Sequence, residues 1–320
     1  ACELLNSGRF ELLTCVATDL YQKFVEWRAA SEYGQWIKKS TLHNDSVAYG
    51  LDKQVAGVDN KKVAVVLHLY YFELWEQFEL ALSGITKTFD LYISIRKKNN
   101  CSLVEKILKS FPDANIYEIP NKGRDILPFL CIFKEIEPLG YELILKLHTK
   151  KSPHLKGYKG IADYGEKWRE ATLTSLFGGN KRVNDIFDLF DSNPNLGVFS
   201  PVEHLYPFKS TDINYQVVNQ LLPSIDNETF DSNNYSYAGG SMFWFRPEAL
   251  KKILQLDLTE ENFEEELGQL DGTLAHAIER LFGVVCQTSG YILTDRMPKR
   301  DDVVYQNWLD SKRESEQKQS

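Results

Sequence analysis

The sequence is poor in cysteine and has no apolar run long enough to cross a membrane. Its 320 residues contain five cysteines, an odd number, and no two of them form a CxxC pair. A disulfide framework or a structural zinc site needs clustered cysteines, so we expect reduced thiols in a cytoplasmic protein. The longest apolar stretch, 63–72, is about half the length of a membrane span. The first residues lack the order of a secretory signal.

Four catalytic signatures and a basic charge balance are also absent. There is no GxxxxGK(S/T) phosphate loop, no HExxH, no GxSxG, and no GxGxxG after a predicted strand. This argues against the common nucleotide hydrolases, zinc peptidases, serine esterases and dinucleotide oxidoreductases. The formal net charge is -8. Because proteins that bind nucleic-acid backbones usually carry a basic face, we expect no nucleic-acid partner.

The composition is that of a folded chain, and its pattern changes near residue 60. Hydrophobic residues make up 43% of the sequence and charged residues 26%, as in ordinary globular proteins. Residues 1–60 are predicted to form a helical extension and a linker, because apolar residues recur there at helical spacing before a polar stretch. Residues 61–300 are predicted to form the main domain, and 301–320 a polar tail.

From residue 62 onward, short β-branched runs alternate with stretches of helical spacing. Strands are predicted at 63–69, 89–95, 115–119 and 141–147, and helices at 73–82, 102–111 and 126–136. The alternation predicts an α/β fold with a mostly parallel sheet flanked by helices. Such sheets bind ligands beyond the carboxyl ends of their strands. The residues that follow each strand are therefore the first candidates for a site.

Polar and basic side chains follow these strands. The candidates are His68 and Tyr70 after the first strand, Asn121, Lys122, Gly123, Arg124 and Asp125 after the third, and Lys146, His148, Thr149, Lys150 and Lys151 at the fourth. Each loop alone is compatible with solvated charge, but several such loops at one sheet edge suit an anion. Lysine and histidine donors can neutralise a diphosphate without a metal ion. Lys146 and His148 are expected to share one face of their strand, since side chains alternate there.

Three segments admit two interpretations each. Asp125 is placed either to bind a ligand or to cap the helix that begins at residue 126. The segment Gly239-Gly240-Ser241, followed by Trp244, is typical of a flat surface for a sugar ring or of a buried strand with core aromatics. Asp271 precedes an amphipathic helix, where it is either an N-cap or an ionised carboxylate that takes a proton from an attacking hydroxyl.

Taken in order, these motifs resemble the rhamnan synthesis protein F family of bacterial polysaccharide glycosyltransferases. The resemblance covers about residues 62–295. It rests on the first strand with His68 and Tyr70, NKGRD (121–125), LILKLHTKKSPH (143–154), LGVFSP (196–201), AGGSMFWFRPEAL (238–250) and DGTLAHAIERLF (271–282). It implies a glycosyltransferase A-type fold with a nucleotide-binding sheet and an acceptor half. It also implies transfer of a sugar such as rhamnose from a nucleotide-diphosphate donor to a growing cell-surface polysaccharide.

One departure from A-type enzymes bears on mechanism. They usually carry an Asp-x-Asp metal motif after the fourth strand, where this sequence has Lys146-Leu147-His148. A divalent cation needs oxygen ligands, so the sequence predicts neither a metal ion nor another cofactor. Our hypothesis is that Arg124, Lys146, His148, Lys150 and Lys151 take over the work of the ion and hold the donor diphosphate. In the same hypothesis, Asp271 is the base of a single inverting displacement, and the acceptor subsite is formed by Gly239, Gly240, Ser241 and Trp244.

A second function remains open at this stage. It is a catalytically inactive glycan-binding or scaffolding module of a multidomain polysaccharide synthase. The expected partners are a nucleotide-sugar donor and a glycan or lipid-linked glycan acceptor. The resemblance adds peripheral association with the cytoplasmic membrane face or with other polysaccharide-assembly domains. The expected location is therefore the cytoplasm, and the alternative is peripheral association with the inner face of the membrane.

Overall fold

The computed structural model describes residues 63–85, 87–96, 100–151, 164–226 and 235–297. The predicted extension at 1–60 and tail at 301–320 lie outside these ranges, as does the part of the basic loop after Lys151. None of the helices in the described ranges has the length and apolar character that a membrane crossing requires.

The strands of the described chain form one large sheet and one small ribbon. The strands are β1 (Val63–Leu69), β2 (Asp90–Arg96), β3 (Asn115–Ile119), β4 (Leu143–His148), β5 (Leu196–Phe199), β6 (Leu205–Phe208), β7 (Tyr235–Ala238), β8 (Phe243–Phe245) and β9 (Ile292–Thr294). The large sheet has the order β3-β2-β1-β4-β8-β5-β9, and β6 pairs with β7 apart from it.

Helices cover both faces of the large sheet. They are α1 (Trp75–Leu82), α2 (Cys101–Ser110), α3 (Ile126–Ile136), α4 (Tyr164–Phe177), α5 (Asn180–Ser192), α6 (Tyr215–Leu221), α7 (Pro247–Leu250) and α8 (Leu274–Thr288). Short 3-10 helices lie at Phe72–Leu74, Glu137–Leu139, Leu222–Ser224, Lys251–Leu256 and Glu260–Asn262. The predicted α/β class, with its sheet flanked by helices, is confirmed.

The sheet is parallel except around β8. Strand β1 pairs in parallel with β2 and β4, and this register sets His68 opposite both Ser94 and His148. Strand β8 runs antiparallel between β4 and β5. The prediction of a mostly parallel sheet is therefore confirmed. The carboxyl ends of β1, β2, β3 and β4 meet at one edge, as expected of parallel strands.

Strict alternation of side chains divides the core into two layers. On β4, Ile144 joins the layer that contains α3 and α8, and Leu145 joins the layer that contains α1, α2 and α5. On β8, Phe243 lies in the first layer and Trp244 in the second. Lys146 and His148 follow Ile144 at intervals of two, so they lie on the face that carries α3 and α8.

Candidate functional site

A pocket of about 520 Å³ lies at the carboxyl edge of the parallel strands. Its lining includes the predicted site residues His68, Tyr70, Asn121, Arg124, Asp125, His148, Thr149, Lys150, Lys151, Gly240 and Asp271. The segment 266–271 and the first turns of α8 complete it. The fold thus brings together most of the loops that the sequence singled out. Lys122, Gly123, Lys146, Gly239, Ser241 and Trp244 are outside the lining.

Lys146 lies beneath the pocket, with only 1% of its side chain exposed. Its Nζ donates to Asp125 Oδ2 at 2.6 Å and to the Ser241 carbonyl oxygen at 2.7 Å. Burial lowers the pKa of Lys146, and the Asp125 carboxylate opposes that effect. Lys146 therefore neutralises Asp125. The expectation that it also binds a diphosphate finds no support in its position.

Asp125 occupies the N-cap position of α3 but makes no side-chain capping hydrogen bond. Burial alone would raise its pKa. Lys146, together with His148 wherever that ring is protonated, outweighs this effect and holds the pKa of Asp125 well below its usual range. The Asp125 carboxylate is thus engaged by a lysine of β4. Neither of the two interpretations of the sequence, ligand binding or helix capping, anticipated this partner.

His148 and His68 stand side by side at the strand ends as neutral rings. His148 Nε2 donates to the Gly240 carbonyl oxygen at 2.7 Å, and His68 Nδ1 lies 3.0 Å from Ser94 Oγ. Burial lowers the pKa of both, that of His68 to about 3. At neutral pH they contribute hydrogen bonds and shape to the pocket, not the positive charge that was expected of His148.

Thr149 fixes the loop that follows β1. Its Oγ1 accepts hydrogen bonds from the backbone amides of Tyr70 and Tyr71, each at 2.9 Å. The Arg96 guanidinium lies 4.2 Å from the centre of the Tyr70 ring. Tyr70 is therefore held as a rigid aromatic wall of the pocket, and Thr149 acts by positioning it.

Lys150 is a pocket lysine that forms no ion pair with the residues that the structure describes. Its Nζ lies 5.1 Å from the centre of the Trp168 ring. In contrast, Lys151 pairs with Glu73, and Lys122 lies 2.8 Å from Glu265 Oε1. Of the pocket lysines, Lys150 has the best position to meet an anionic ligand.

Arg124 ties the loop after β3 to the segment 264–271. It has a left-handed φ of 55°, and its backbone amide donates to Glu266 Oε1 at 3.1 Å. Its side chain contacts the Gln269 carbonyl oxygen and lies 3.1 Å from His276 Nε2. Arg124 thus closes one side of the pocket, and its charge is shared with Glu266.

The contact with Arg124 selects one tautomer of His276. An arginine can only donate, so Nε2 of His276 must accept, and its proton then sits on Nδ1. Nδ1 lies 2.8 Å from Thr273 Oγ1 and donates to it. Because Nδ1 carries the proton, it cannot also accept a hydrogen bond from the Thr273 backbone amide, which lies 3.2 Å away. Burial, followed by Arg124, lowers the pKa of His276 to about 4.

Asp271 lines the pocket but is not the N-cap of α8, a position that Thr273 occupies. Its Oδ1 accepts from Asn214 Nδ2 at 2.9 Å and from the Gly272 amide at 2.7 Å, and its Oδ2 accepts from Arg280 Nη2 at 2.9 Å. Burial raises the pKa of Asp271. Arg280 and these hydrogen bonds lower it by more than burial raises it, so the net shift is downward. The lowered pKa favours the ionised form of Asp271, and Arg280 is the largest of the groups that lower it.

The predicted acceptor residues separate into two groups. Gly240 lines the pocket with φ of 86°, and a Cβ there would lie 2.7 Å from Trp168. Trp244 is fully buried on the opposite face from Lys146, and its Nε1 donates to the Leu176 carbonyl oxygen at 3.3 Å. Ser241 is also fully buried. For Trp244 the interpretation as a core aromatic is therefore correct, and its assignment to an acceptor subsite is not supported.

Two charged residues of α8 were missed. Glu279 and Arg280 line the pocket, and Glu279 Oε1 accepts from Arg280 Nη1 at 3.1 Å. Burial raises the pKa of Glu279. A signal was present, since Ala275, Glu279 and Gly283 repeat at intervals of four and so share one face of the helix. Two small residues flanking an acid mark a helix face against which something packs closely.

Within the described ranges, no group of three or more histidine, cysteine, aspartate or glutamate side chains is arranged to hold a metal ion. The Asp125 carboxylate, which lies 3.9 Å from His148 at the end of β4, is engaged by Lys146.

Comparison with known proteins gives a family and two relatives. The model of the rhamnan synthesis protein F family matches residues 11–291. Two curated proteins, each named uncharacterized protein WxcX, come from two strains of Xanthomonas campestris pv. campestris. Each is 35% identical to this chain over 231 residues, which is 72% of this chain and 32% of the relative. The matched stretch thus spans about a third of the length of these relatives.

Proposed function

The chain belongs to the rhamnan synthesis protein F family, and from this premise we propose that it is a metal-independent glycosyltransferase of the A-type fold. Membership links the chain to rhamnan and polysaccharide synthesis. The proposed reaction moves a sugar, such as rhamnose, from a nucleotide-diphosphate donor to a growing cell-surface glycan or lipid-linked glycan at the cytoplasmic side of the membrane. The observation that carries the proposal is Lys150, which lines a pocket at the carboxyl edge of parallel strands and forms no ion pair within the described ranges.

The donor end of the pocket is formed by the loops after β1 and β4. Tyr70, held by Thr149 and Arg96, offers an aromatic ring in the same pocket as Lys150. An aromatic ring can stack on a nucleobase, and a lysine binds a phosphate as a point charge. In the proposal, Lys150 and the more exposed Lys151 bind the diphosphate and stabilise the charge that grows on it as the sugar leaves.

The sheet supports a division into a donor half and an acceptor half. The parallel strands β3, β2, β1 and β4 end at the donor loops, and the antiparallel β8 begins directly after the Gly240 turn. Gly240 brings backbone to the pocket wall, and the His148 ring binds its carbonyl oxygen. This flat wall is where the proposal places the acceptor sugar.

The proposed chemistry is a single displacement with inversion. The acceptor oxygen attacks the anomeric carbon, and the bond from that carbon to the donor phosphate breaks as its electron pair leaves with the diphosphate. The acceptor proton needs a base. Asp271, the base suggested by the sequence, and Glu279 both line the pocket.

A binding measurement with a matched control tests the donor site. Lys150→Met is expected to weaken the affinity for dTDP and UDP by about tenfold, because one fixed charge is lost. Lys181→Met is the control, since Lys181 is 87% exposed on α5 and pairs with Asp185. Release of nucleoside diphosphate from dTDP-rhamnose, UDP-glucose and GDP-mannose in excess chelator tests the reaction. Equal affinities for the two variants, or activity only with added metal, contradict the proposal.

The ion pair that occupies Asp125 favours a second candidate function. A pocket whose acids are engaged by Lys146, Arg124 and Arg280 can bind a glycan without reacting with it. The chain would then be a glycan-binding or scaffolding module. Binding of donor or glycan without release of nucleoside diphosphate distinguishes this function from transfer.

A further inference from the structure

Four carboxylates line the pocket, and they differ in how many hydrogen bonds they accept. They are Asp125, Glu266, Asp271 and Glu279. A general base must offer an oxygen that is free to receive the proton of the attacking hydroxyl. This inference rests on the proposed transfer reaction. The base of that reaction is expected to be the carboxylate that has such an oxygen.

Two of the four are committed to cations beside them. Asp125 accepts the short hydrogen bond from Lys146, and its low pKa makes it a poor proton acceptor. Glu266 faces Arg124 with both oxygens, since Oε1 accepts from the Arg124 amide at 3.1 Å and Oε2 lies 3.6 Å from Arg124 Nε. Their hydrogen bonds hold the loop after β3, so their role is to build the pocket wall.

Asp271 is committed as well. Its two oxygens accept three hydrogen bonds, from Asn214, the Gly272 amide and Arg280. To take a proton, Asp271 would have to give up part of this arrangement. Its side chain is also 42% exposed, so that water shares the site.

Glu279 differs from the other three. Its Oε1 accepts from Arg280 Nη1 at 3.1 Å, and its Oε2 accepts no hydrogen bond from any residue in the part of the chain that the structure describes. The side chain is 19% exposed, and it lines the pocket. It projects from the second turn of α8, a rigid element whose buried residues pack into the core.

We propose that Glu279 is the general base of the transfer reaction and that Asp271 is a positioning residue. As the acceptor oxygen bonds to the anomeric carbon, its proton passes to Glu279 Oε2. The electron pair of the broken bond leaves with the diphosphate, toward Lys150. Arg280 bridges the two acids, since Nη1 binds Glu279 and Nη2 binds Asp271. Asp271 thereby holds Arg280 in the orientation that fixes Oε1 and leaves Oε2 facing the pocket.

The charged groups around Glu279 favour this role. Burial is the largest influence and raises the pKa of Glu279, while Arg280, Lys150 and Lys146 lower it and Asp125 raises it. The net shift is upward. A carboxylate with a raised pKa accepts a proton more readily than one with a lowered pKa, provided that it is ionised at the working pH. Asp271, with its lowered pKa, has the opposite property.

Steady-state kinetics of three variants test the assignment. The reaction is followed as release of nucleoside diphosphate from dTDP-rhamnose, UDP-glucose and GDP-mannose, with methyl α-rhamnoside or water as acceptor. Glu279→Gln is expected to lower kcat by about 10²–10⁴-fold, the range for loss of a general base, while the Kd for dTDP stays unchanged. Asp271→Asn is expected to lower kcat less and to keep the acidic limb of the pH profile. Glu261→Gln, an exposed acid outside the pocket, is the control.

The pH profile separates a base from a structural residue. In the wild type, kcat should fall with acidification through the pKa of Glu279, because the protonated acid cannot accept a proton. Glu279→Gln should abolish this limb. Glu279→Asp should keep an acidic limb but at a shifted pH. This variant tests the inference if the Gln variant does not fold. A Gln variant with the wild-type rate and limb, or an Asp variant whose limb does not move, overturns the inference.

Failure of the premise has a different outcome. If the wild type releases no nucleoside diphosphate from any of the three donors, the proposed transfer is wrong, and the role of Glu279 is wrong with it. If the wild type is active and Asp271→Asn alone loses the acidic limb, the transfer proposal stands. In that case the base is Asp271.

Discussion

Lys146 and Asp125 form a buried ion pair beneath the pocket, with 2.6 Å between Nζ and Oδ2. The same ammonium donates to the Ser241 carbonyl oxygen. One lysine therefore joins β4 to the loop before α3 and to the turn before β8. Buried ion pairs need geometry of this quality, since desolvation of both charges opposes their formation.

Loss of Lys146 is expected to destabilise the fold. Lys146→Met leaves the Asp125 carboxylate buried without its counterion, and breaking such a pair lowers the free energy of unfolding by about 3–5 kcal/mol. Urea denaturation at pH 7 measures the change. Lys181→Met, which removes an exposed lysine, should stay within about 0.5 kcal/mol of the wild type. A Lys146→Met protein as stable as this control would show that the pair contributes little.

Mild acid is expected to weaken the fold through His276. The folded-state pKa of about 4 lies below the ordinary histidine value of 6.5, so between these pH values the unfolded chain binds more protons. Stability is then fully present above pH 6.5 and falls as the pH drops toward 4, by up to about 3 kcal/mol. His276→Asn should show a shallower loss between pH 7 and pH 4.5 in urea denaturation. Equal slopes for variant and wild type would contradict the buried neutral ring that faces Arg124.

Local patterns were enough to predict the parallel part of the sheet and the sheet edge at which the candidate pocket lies. Strand β1 and helix α3 begin and end where predicted, because a compact apolar run or a helical stripe is bounded by polar residues. Helix α1 begins two residues later than predicted, after the 3-10 turn Phe72–Leu74. Since parallel strands end at one edge, the order of the elements was sufficient to bring the loops after β1, β3 and β4 together.

Partnerships between distant residues could not be predicted in the same way. Arg124 meets His276 across 152 positions of sequence, and nothing local to either residue indicates the other. The sequence also did not decide which side chains of β8 face which layer of the core, since alternate residues of a strand point to opposite faces of the sheet. Asp271 and Thr273 are both good N-caps by residue type. In the structure Thr273 is the N-cap, and Asp271 binds Arg280 instead.

Gly123 is expected to tolerate no side chain, and Gly140 supplies its control. Both have left-handed φ, 64° and 76°. A Cβ at Gly123 would lie 2.7 Å from Leu127 Cβ and 2.8 Å from the Phe263 ring, whereas Gly140 has nothing within 4 Å. The φ penalty of about 1–2 kcal/mol should be common to both alanine variants. Gly123→Ala should lose about 1–3 kcal/mol more, from overpacking.

Urea denaturation of the two glycine variants under one set of conditions isolates the packing effect. Equal losses would mean that α3 shifts to accommodate the methyl group. A larger loss for Gly140→Ala would contradict the close packing of Phe263 on the loop after β3.

Trp244 separates a role in the core from a role in binding. Trp244→Phe removes the indole donor from the Leu176 carbonyl oxygen and leaves that buried acceptor unsatisfied, which should lower the free energy of unfolding by about 1–3 kcal/mol. The ring lies on the opposite face of the sheet from His148 and packs at 5.1 Å against Phe187. The KM for the acceptor and the Kd for dTDP should therefore stay unchanged. A raised acceptor KM with wild-type stability would instead restore the interpretation of this tryptophan as part of a sugar subsite, and would require β8 to present its other face to the pocket.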